Sequence, residues 1–274
     1  RTIAPYIKNK LVDPAVLSVD EGGNFVVPLL SGHIGGANGF AKILAKAIKA
    51  IPVVTTATDV NKLFAVDEWA ARNNMIINSM KAAKDFAAAL VDGQEVGLVA
   101  DYPIISTLPR LMVHKDEGSV GVAITKDRRV KPFDVTVQLW PQNIYLGIGC
   151  RRGTTLESIE ALVLPELKEL GIDLRTVAGV ASVDLKKDEA GLLAFAAKYN
   201  WTISFFTAEE LQNAEGEFSS SDFVRSVVGV SNVCERSAVL AAQNGSIVLS
   251  KCSLNGVTLA VAEEDIVLDF EKLS

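Results

Sequence analysis

Short apolar runs separated by polar turns open the chain and predict strands. Val16–Val19 and Phe25–Leu29 flank a polar segment that contains two glycines, which is typical of two strands joined by a turn. A later apolar run, Val53–Thr56, predicts a third strand after an intervening helix. This strand-helix-strand order indicates a parallel pair of strands joined by a right-handed crossover.

The intervening helix is predicted from the spacing of its apolar residues. They recur at i, i+3, i+4, i+7 and i+8, and they are Phe40, Ile43, Leu44, Ala47 and Ile48. Lys42, Lys46 and Lys49 take the other face. Such an apolar stripe is typical of a helix that packs one face against a core.

The middle of the chain mixes helix-length and strand-length patterns. The predicted helices are Val66–Asn73 and Met80–Leu90, and the predicted strands are Met75–Ile77 and Glu95–Ala100. Charged residues and prolines between Lys126 and Pro141 indicate a boundary region, within which Asp134–Leu139 alternates like a strand. We therefore predict an N-terminal α/β domain at residues 1–60 and a small middle α/β domain at residues 61–139.

The clearest pattern is the alternation of strands and helices after residue 140. Its five elements are Ile144–Cys150, Leu156–Leu170, Val177–Val183, Glu189–Tyr199 and Thr202–Phe206. Asn255–Gly256 lies between two apolar runs and predicts a type I′ hairpin, so the sheet should end antiparallel. The sequence thus predicts a multidomain α/β protein whose C-terminal domain, residues 140–274, has a mixed, mainly parallel sheet.

Capping signals mark several predicted helix starts in this region. Thr154 with Glu157, and Thr207 with Glu210, fit the S/T-x-x-E capping box. Ser231 precedes a further predicted helix. These signals support the helix boundaries without requiring any ligand.

Composition and charge narrow the class of protein. The chain has 274 residues, more than one hydrophobic core usually organises, with 49% hydrophobic and 22% charged residues, as in globular proteins. Its net charge of −6 argues against nonspecific nucleic-acid binding, which needs a basic face. No apolar run approaches the roughly 20 residues that span a bilayer, and no signal peptide is evident, so we expect a cytoplasmic protein. The three cysteines lack CxxC spacing and predict neither a disulfide scaffold nor a zinc cluster.

A glycine-rich run between the second strand and the helix is the first candidate site. Backbone N–H groups and the helix dipole there could meet an anion, although the spacing matches no nucleotide motif. The candidate substrate contacts are Ser31, Gly35, Gly36 and Asn38. His33 is the candidate general acid or base, because an imidazole ordinarily titrates near pH 6.5. A tight turn that needs glycine, with the imidazole bonded to it, explains the same residues.

The run Thr55–Asp59 follows the next apolar strand. A parallel arrangement would bring its hydroxyls and carboxylate to the sheet edge that holds His33, so Thr56 and Asp59 are further candidates for substrate contact. An Asx or ST turn that caps the following helix is the alternative interpretation.

Two strand-to-helix loops of the C-terminal domain carry charges that suit a polyanion. Arg151, Arg152 and Thr154 follow one strand, and Asp184 and Lys186 follow the next. Guanidinium groups at a helix start can hold carboxylates, which predicts substrate binding there. The alternative interpretation needs no ligand: the arginines are solvated, Thr154 and Glu157 form a capping box, and Asp188 and Glu189 are ordinary helix-start acids.

Seven blocks of the chain together resemble the cobalamin biosynthesis protein G family in order and spacing. The blocks are PLLSGHIGGAN, TTATD, LGIGCRRGTTLESI, ASVDLKKDEAGLLAFA, FFTAEEL, VGVSNVCERSAVLAA and GVTLAVAEED. The resemblance covers nearly the whole chain, and its last part is also similar to a shorter relative used in aerobic cobalamin synthesis. Family members normally start earlier, which implies that the first domain here is incomplete.

The resemblance implies a cobalt-precorrin-5A hydrolase, which opens a δ-lactone on a cobalt-bound corrin precursor and releases acetaldehyde. It implies a cobalt-corrinoid substrate as partner, with cobalt carried by the substrate and no cofactor of the protein's own. It supplies no settled catalytic residue, so the role of His33 rests on its place in the loop. A noncatalytic tetrapyrrole carrier and a nucleotide-binding module remain alternatives, and a homodimer stays open.

Overall fold

The structure, a computed structural model, describes residues 3–8, 13–32, 35–55, 60–125, 127, 129–216, 218 and 232–271. The chain divides into two compact units. Unit 1 comprises residues 1–141 and 267–274, and unit 2 comprises residues 142–266. Among the described residues, no helix is long and apolar enough to cross a membrane.

The first sheet of unit 1 has three strands. They are β1 Val16–Val19, β2 Phe25–Leu30 and β3 Ile51–Pro52. β1 and β2 pair antiparallel, and β2 and β3, with helix α1, Ala37–Ile48, between them in sequence, pair parallel, which confirms the predicted strand pairing. The third strand is shorter and earlier than the predicted Val53–Thr56, although the Val53 N–H still donates to the Val26 carbonyl at 2.8 Å.

Helix α1 packs through a different face from the one predicted. Ala37, Ala41 and Ala45 are buried against the sheet, whereas Phe40 is 53% and Ile43 67% exposed. Alanines at i, i+4 and i+8 allow the helix to lie close to β2, where Val26 completes the small core. The predicted apolar stripe therefore faces outward, and only Leu44 of that stripe contacts this core.

The second sheet of unit 1 has five strands in the order β4-β8-β7-β5-β6. They are β4 Met75–Ile77, β5 Val96–Ala100, β6 Met112–His114, β7 Gly118–Ile124 and β8 Phe133–Pro141. Only β4 pairs antiparallel, and the helices are α2 Val66–Arg72 and α3 Met80–Val91. Both predicted helices and all three predicted strands are confirmed, with the run Asp134–Leu139 inside β8, whereas β6 and β7 had not been predicted.

The last described residues return to unit 1 and pack on α2. The Trp69 indole N–H donates to the Asp269 carbonyl at 2.9 Å, and its ring stacks on Phe270 with centroids 4.9 Å apart. Leu268 pairs with Ile104. These contacts bury Trp69 and Phe270 in the core of unit 1.

Unit 2 is built on one five-stranded sheet, in the order β11-β10-β9-β13-β12. Its strands are β9 Ile144–Cys150, β10 Val177–Val183, β11 Thr202–Phe206, β12 Ser246–Leu254 and β13 Val257–Glu263. β9, β10 and β11 run parallel, and β13 pairs antiparallel with β9 and β12. Asn255 and Gly256 have φ angles of 49° and 85°, as a type I′ turn requires, so the predicted hairpin is confirmed.

The described helices of unit 2 are α4 Leu156–Glu169, α5 Ala190–Lys198, α6 Ala208–Gln212 and α7 Val233–Ala241. The capping box of Thr207 and Glu210 is confirmed at α6. The one predicted for Thr154 and Glu157 is wrong, because Thr155 caps α4 by accepting from the Ser158 N–H. Asn232 caps α7, and Ser231 lies outside the described residues.

Helix α7 lies very close to the central strand β9. A Cβ atom built on Gly147 would lie 1.8 Å from the Cys234 carbonyl oxygen and 2.9 Å from the Ala238 Cβ. Ser237, on the same helix, is completely buried and its hydroxyl donates to the Ala181 carbonyl at 3.3 Å. Glycine at position 147 thus allows helix and strand backbones to touch.

Candidate functional site

The charged loops of unit 2 meet at one edge of its sheet. β9 ends at Cys150 and its parallel neighbour β10 ends at Val183, so the loops that follow lie side by side. The β12–β13 turn reaches the same edge, because Val257 pairs with Cys150. In a sheet of this kind, the carboxyl ends of parallel strands are the usual place for a ligand.

A buried carboxylate ties the two loops together. Glu189 accepts a hydrogen bond from the Gly153 N–H at 2.7 Å and pairs with the Lys186 ammonium at 3.3 Å. The Glu189 side chain is only 5% exposed and that of Lys186 15%. The hydrogen bond from Gly153 to Glu189 therefore fixes the loop after β9 to the loop after β10. From the sequence, Glu189 is an ordinary helix-start acid, and no local signal predicts its contact with Gly153, which is 36 residues away.

The two arginines of the edge differ in their surroundings. Arg152 pairs with Asp188 at 3.3 Å, and both side chains are largely exposed. This hydrogen bond to Arg152 is the main reason why the pKa of Asp188 is lowered. Exposed pairs contribute little to stability, so Arg152 can exchange Asp188 for another carboxylate at small cost. Arg151 is exposed, and its backbone N–H donates to the Gly256 carbonyl at 3.2 Å.

The remaining predicted residues of this edge have structural contacts. The Thr154 hydroxyl donates to the Arg151 carbonyl at 2.7 Å, which shapes the loop. Asp184 begins a short 3-10 turn, Asp184–Lys186, and is partly buried. The structure thus brings Arg151, Arg152, Thr154, Asp184 and Lys186 to one edge, and their contact with substrate stays a prediction.

Cys150 stands at the end of β9 beneath these loops. Burial raises the pKa of its thiol, and the nearby Lys186 only partly offsets this effect. A thiol with a raised pKa is a weak nucleophile near neutral pH, because the thiolate is the reactive form. We therefore interpret Cys150 as a residue that packs under the loops.

The glycine-rich loop of unit 1 forms a compact turn in its described parts. Ser31 is buried, has a φ of 55°, and donates its hydroxyl to the Asp13 carbonyl at 2.7 Å. A Cβ on Gly35 would lie 2.3 Å from the Ser31 Cβ, so only glycine fits there. Gly36 precedes α1 with a φ of 76°, and the Asn38 N–H donates to the Gly32 carbonyl at 2.9 Å.

Three predicted residues lie outside the described part of the chain. They are His33, Thr56 and Asp59. The side chains of Ser31 and Asn38 are buried, so backbone groups are what the described part of this loop can offer a ligand. The assignment of all these residues to a site stays a prediction.

We predict that Glu189→Ala destabilises the protein by about 3 kcal/mol. The change removes the acceptor of the Gly153 N–H and leaves the nearly buried Lys186 without its carboxylate. Glu189→Gln keeps an acceptor and should lose less. Urea unfolding measures the effect, with the exposed Glu157→Ala as control. Equal stability of Glu189→Ala and wild type would contradict the role of this carboxylate.

Three family profiles match the chain in consecutive order. They are described as Cobalamin synthesis G N-terminal, at residues 1–59, Cobalamin biosynthesis central region, at 64–141, and Cobalamin synthesis G C-terminus, at 144–262. Together they cover nearly all of the sequence, and their order follows that of the sheets described above.

Curated relatives extend over the same length. The chain is 31% identical to a cobalt-precorrin-5A hydrolase of Priestia megaterium, over 96% of this chain and 75% of that protein. It is 34% identical to a cobalt-precorrin-5A hydrolase of Salmonella typhimurium, over 95% of this chain and 78% of that protein. A crystal structure of a cobalamin biosynthesis protein G homolog from Sulfolobus solfataricus is 22% identical, covers 96% of this chain and 78% of its own, and has a TM-score of 0.41.

Proposed function

Because the chain belongs to the cobalamin biosynthesis protein G family, we propose that it is a cobalt-precorrin-5A hydrolase. The reaction opens the δ-lactone of cobalt-precorrin-5A with water, releases acetaldehyde and leaves cobalt-precorrin-5B. The observation that carries the proposal is identity above 30% to two proteins of that name along nearly the whole chain.

The charged edge of unit 2 suits such a substrate. A corrin precursor carries many peripheral carboxylates, and guanidinium groups bind carboxylates through charge-assisted hydrogen bonds. Arg151 and Arg152 are exposed at this edge, while Lys186 is held back by Glu189. We assign the two arginines to substrate carboxylates, and Lys186, which pairs with Glu189, stays a further predicted contact.

Lactone opening needs a base that activates water and a group that supports the departing oxyanion. We propose His33 as the acid or base, on the strength of its place in the sequence between β2 and α1. Cobalt belongs to the substrate, so we propose that turnover requires no cofactor supplied by the protein.

The test is acetaldehyde release from cobalt-precorrin-5A, measured after quenching with alcohol dehydrogenase and NADH. We expect release above the no-enzyme control, without nucleotide and in the presence of EDTA. If the protein bound the substrate but released no acetaldehyde, it would be a noncatalytic carrier and not a hydrolase. Loss of turnover with EDTA, restored by a divalent ion, would contradict the absence of a cofactor.

We predict that Arg151→Ala with Arg152→Ala weakens corrinoid binding about tenfold or more while the fold is retained. One hydrogen bond to a charged group is worth roughly 1.5–3 kcal/mol, which corresponds to at least about tenfold in affinity. Both side chains are exposed, so stability should change little. Titration of the visible spectrum at several salt concentrations measures the dissociation constants.

The matched control removes two cations from elsewhere on unit 2. Lys168 and Arg175 lie near the start of β10, at the opposite edge of the sheet, and are exposed. Lys168→Ala with Arg175→Ala gives the same change in net charge. If both double variants bound the corrinoid as the wild type does, the edge with Arg151 and Arg152 would be no part of the site.

A further inference from the structure

A cleft of about 860 Å³ lies in unit 1, lined by none of the residues that the sequence patterns selected as site candidates. It is bounded by α1, by α2 and the segment before it, by the loop that precedes β6, and by Phe270 and Glu271. Its volume falls in the upper part of the range of roughly 300–1,000 Å³ that is typical of small-molecule sites.

One side of the cleft is apolar. Phe64 and Phe270 form an edge-to-face pair with centroids 5.6 Å apart, and both rings are nearly buried. Ile43 lines the cleft from α1 and is 67% exposed. It is exposed because α1 packs on its sheet through the alanine face, so that the larger apolar side chains point away from that sheet. The two rings support this side of the cleft from behind, and the apolar side chains that a flat, apolar ligand can contact are Ile43, Leu63 and Leu108.

Cationic side chains outnumber carboxylates in the cleft, although the net charge of the whole chain is −6. Four cationic side chains line it against two carboxylates, and the cations are Lys42, Lys62, Arg72 and Arg110. Both carboxylates are already engaged: Glu68 pairs with Arg72, and Glu271 accepts from the Thr107 hydroxyl at 2.5 Å. Lys62 and Arg110 form no ion pair with any residue that the structure describes.

We propose that this cleft binds the corrinoid, with the macrocycle against the apolar wall and its peripheral carboxylates on Lys62 and Arg110. The proposal rests on the proposed function, and it adds a binding surface in unit 1 that no motif indicates. A flat ligand with an apolar face and several carboxylates satisfies both features of the cleft at once. An uncharged apolar ligand would leave the cations without a role, and a small anion would leave the wall exposed.

The test is a titration with dicyanocobyrinic acid, a stable cobalt corrin with free carboxylates. Binding is followed by the visible spectrum and by tryptophan fluorescence, because Trp69 stacks on the cleft residue Phe270. We expect Ile43→Glu to raise the dissociation constant at least tenfold, since it places a carboxylate on the apolar wall. Its exposure means that the fold should tolerate the change.

The cation contacts are tested by Lys62→Ser with Arg110→Ser. We expect a loss of affinity of about tenfold or more and a weaker dependence on salt, because fewer charge contacts remain to be screened. The matched controls are Ile48→Glu, on the same helix and 43% exposed, and Lys46→Ser with Lys81→Ser. None of these three residues lines the cleft, and the controls should bind as the wild type does.

The outcomes separate this proposal from the proposed function. Unchanged affinity in both cleft variants, or no binding of the corrinoid by the wild type, would overturn the cleft as its site. Acetaldehyde release from cobalt-precorrin-5A is measured separately and decides the hydrolase. If the cleft variants lose affinity while the wild type releases no acetaldehyde, the cleft is supported as a corrinoid-binding site and the hydrolase activity is disproved.

Discussion

His33→Ala is expected to lower the turnover of cobalt-precorrin-5A by about 10²- to 10⁴-fold, which is the range of a general acid or base. The same change should affect substrate binding much less, because a proton-transfer group contributes mainly in the transition state. The expectation rests on the position of this residue in the chain, between β2 and α1. Of the described residues on either side of it, Ser31 and Gly35 lie close together, since a Cβ on Gly35 would be 2.3 Å from the Ser31 Cβ.

Two controls separate catalysis from structure. His114 is the other histidine of the chain, at the exposed end of β6, and His114→Ala should leave turnover unchanged. His33→Asn retains a hydrogen-bonding side chain but cannot shuttle a proton near neutral pH, so it should be as slow as His33→Ala. Normal turnover in a His33→Ala protein with a lowered melting temperature would instead assign this histidine to the turn.

Gly147→Ala is expected to destabilise unit 2 by about 3 kcal/mol or more. The new methyl group would lie 1.8 Å from the Cys234 carbonyl oxygen, so α7 must move away from the centre of the sheet. That movement would loosen the contacts of the buried Ser237 and Ala238. Urea unfolding monitored by circular dichroism measures the loss.

The atom that a Cβ at position 147 would meet first is a backbone oxygen, so shortening a neighbouring side chain should not relieve the clash. Trimming the neighbouring side chain with Ala238→Gly should fail to rescue Gly147→Ala. Gly39→Ala, within helix α1, is the contrasting variant, because its neighbour is flexible. The new Cβ would contact only the end of the Arg72 side chain, at 3.3 Å. That variant should be as stable as the wild type or more stable by up to about 1 kcal/mol. Wild-type stability of Gly147→Ala would disprove the close approach of α7.

Patterns within one element predicted the fold of unit 2 well. The alternation from Ile144 to Phe206 appears as β9 to β11 with α4 and α5 between them. The Asn255–Gly256 turn and the Thr207 capping box were also correct, because each is determined by residues a few positions apart. In such cases the local sequence contains all of the groups that interact, although the box at Thr154 and Glu157 failed because the adjacent Thr155 caps α4 instead.

Features that depend on distant residues escaped prediction. The spacing of Phe40 and Ile43 shows that they share a face of α1, but it does not say whether alanine or the larger side chains meet the sheet. Glu189 holds Gly153, which is 36 residues away, and the cleft of unit 1 brings together four separate parts of the chain. Nothing in a short stretch of sequence encodes such contacts.

The return of the last described residues to unit 1 makes unit 2 an insertion between two parts of one folding unit. Leu268 pairs with Ile104, and Phe270 covers Trp69, only after residues 142–266 have been synthesised. During translation, the apolar face of α2 therefore lacks these contacts until the last residues of unit 1 have emerged from the ribosome. A chain truncated before Val267 would lack the Phe270 ring that stacks on Trp69, and chaperones recognise such exposed apolar surfaces.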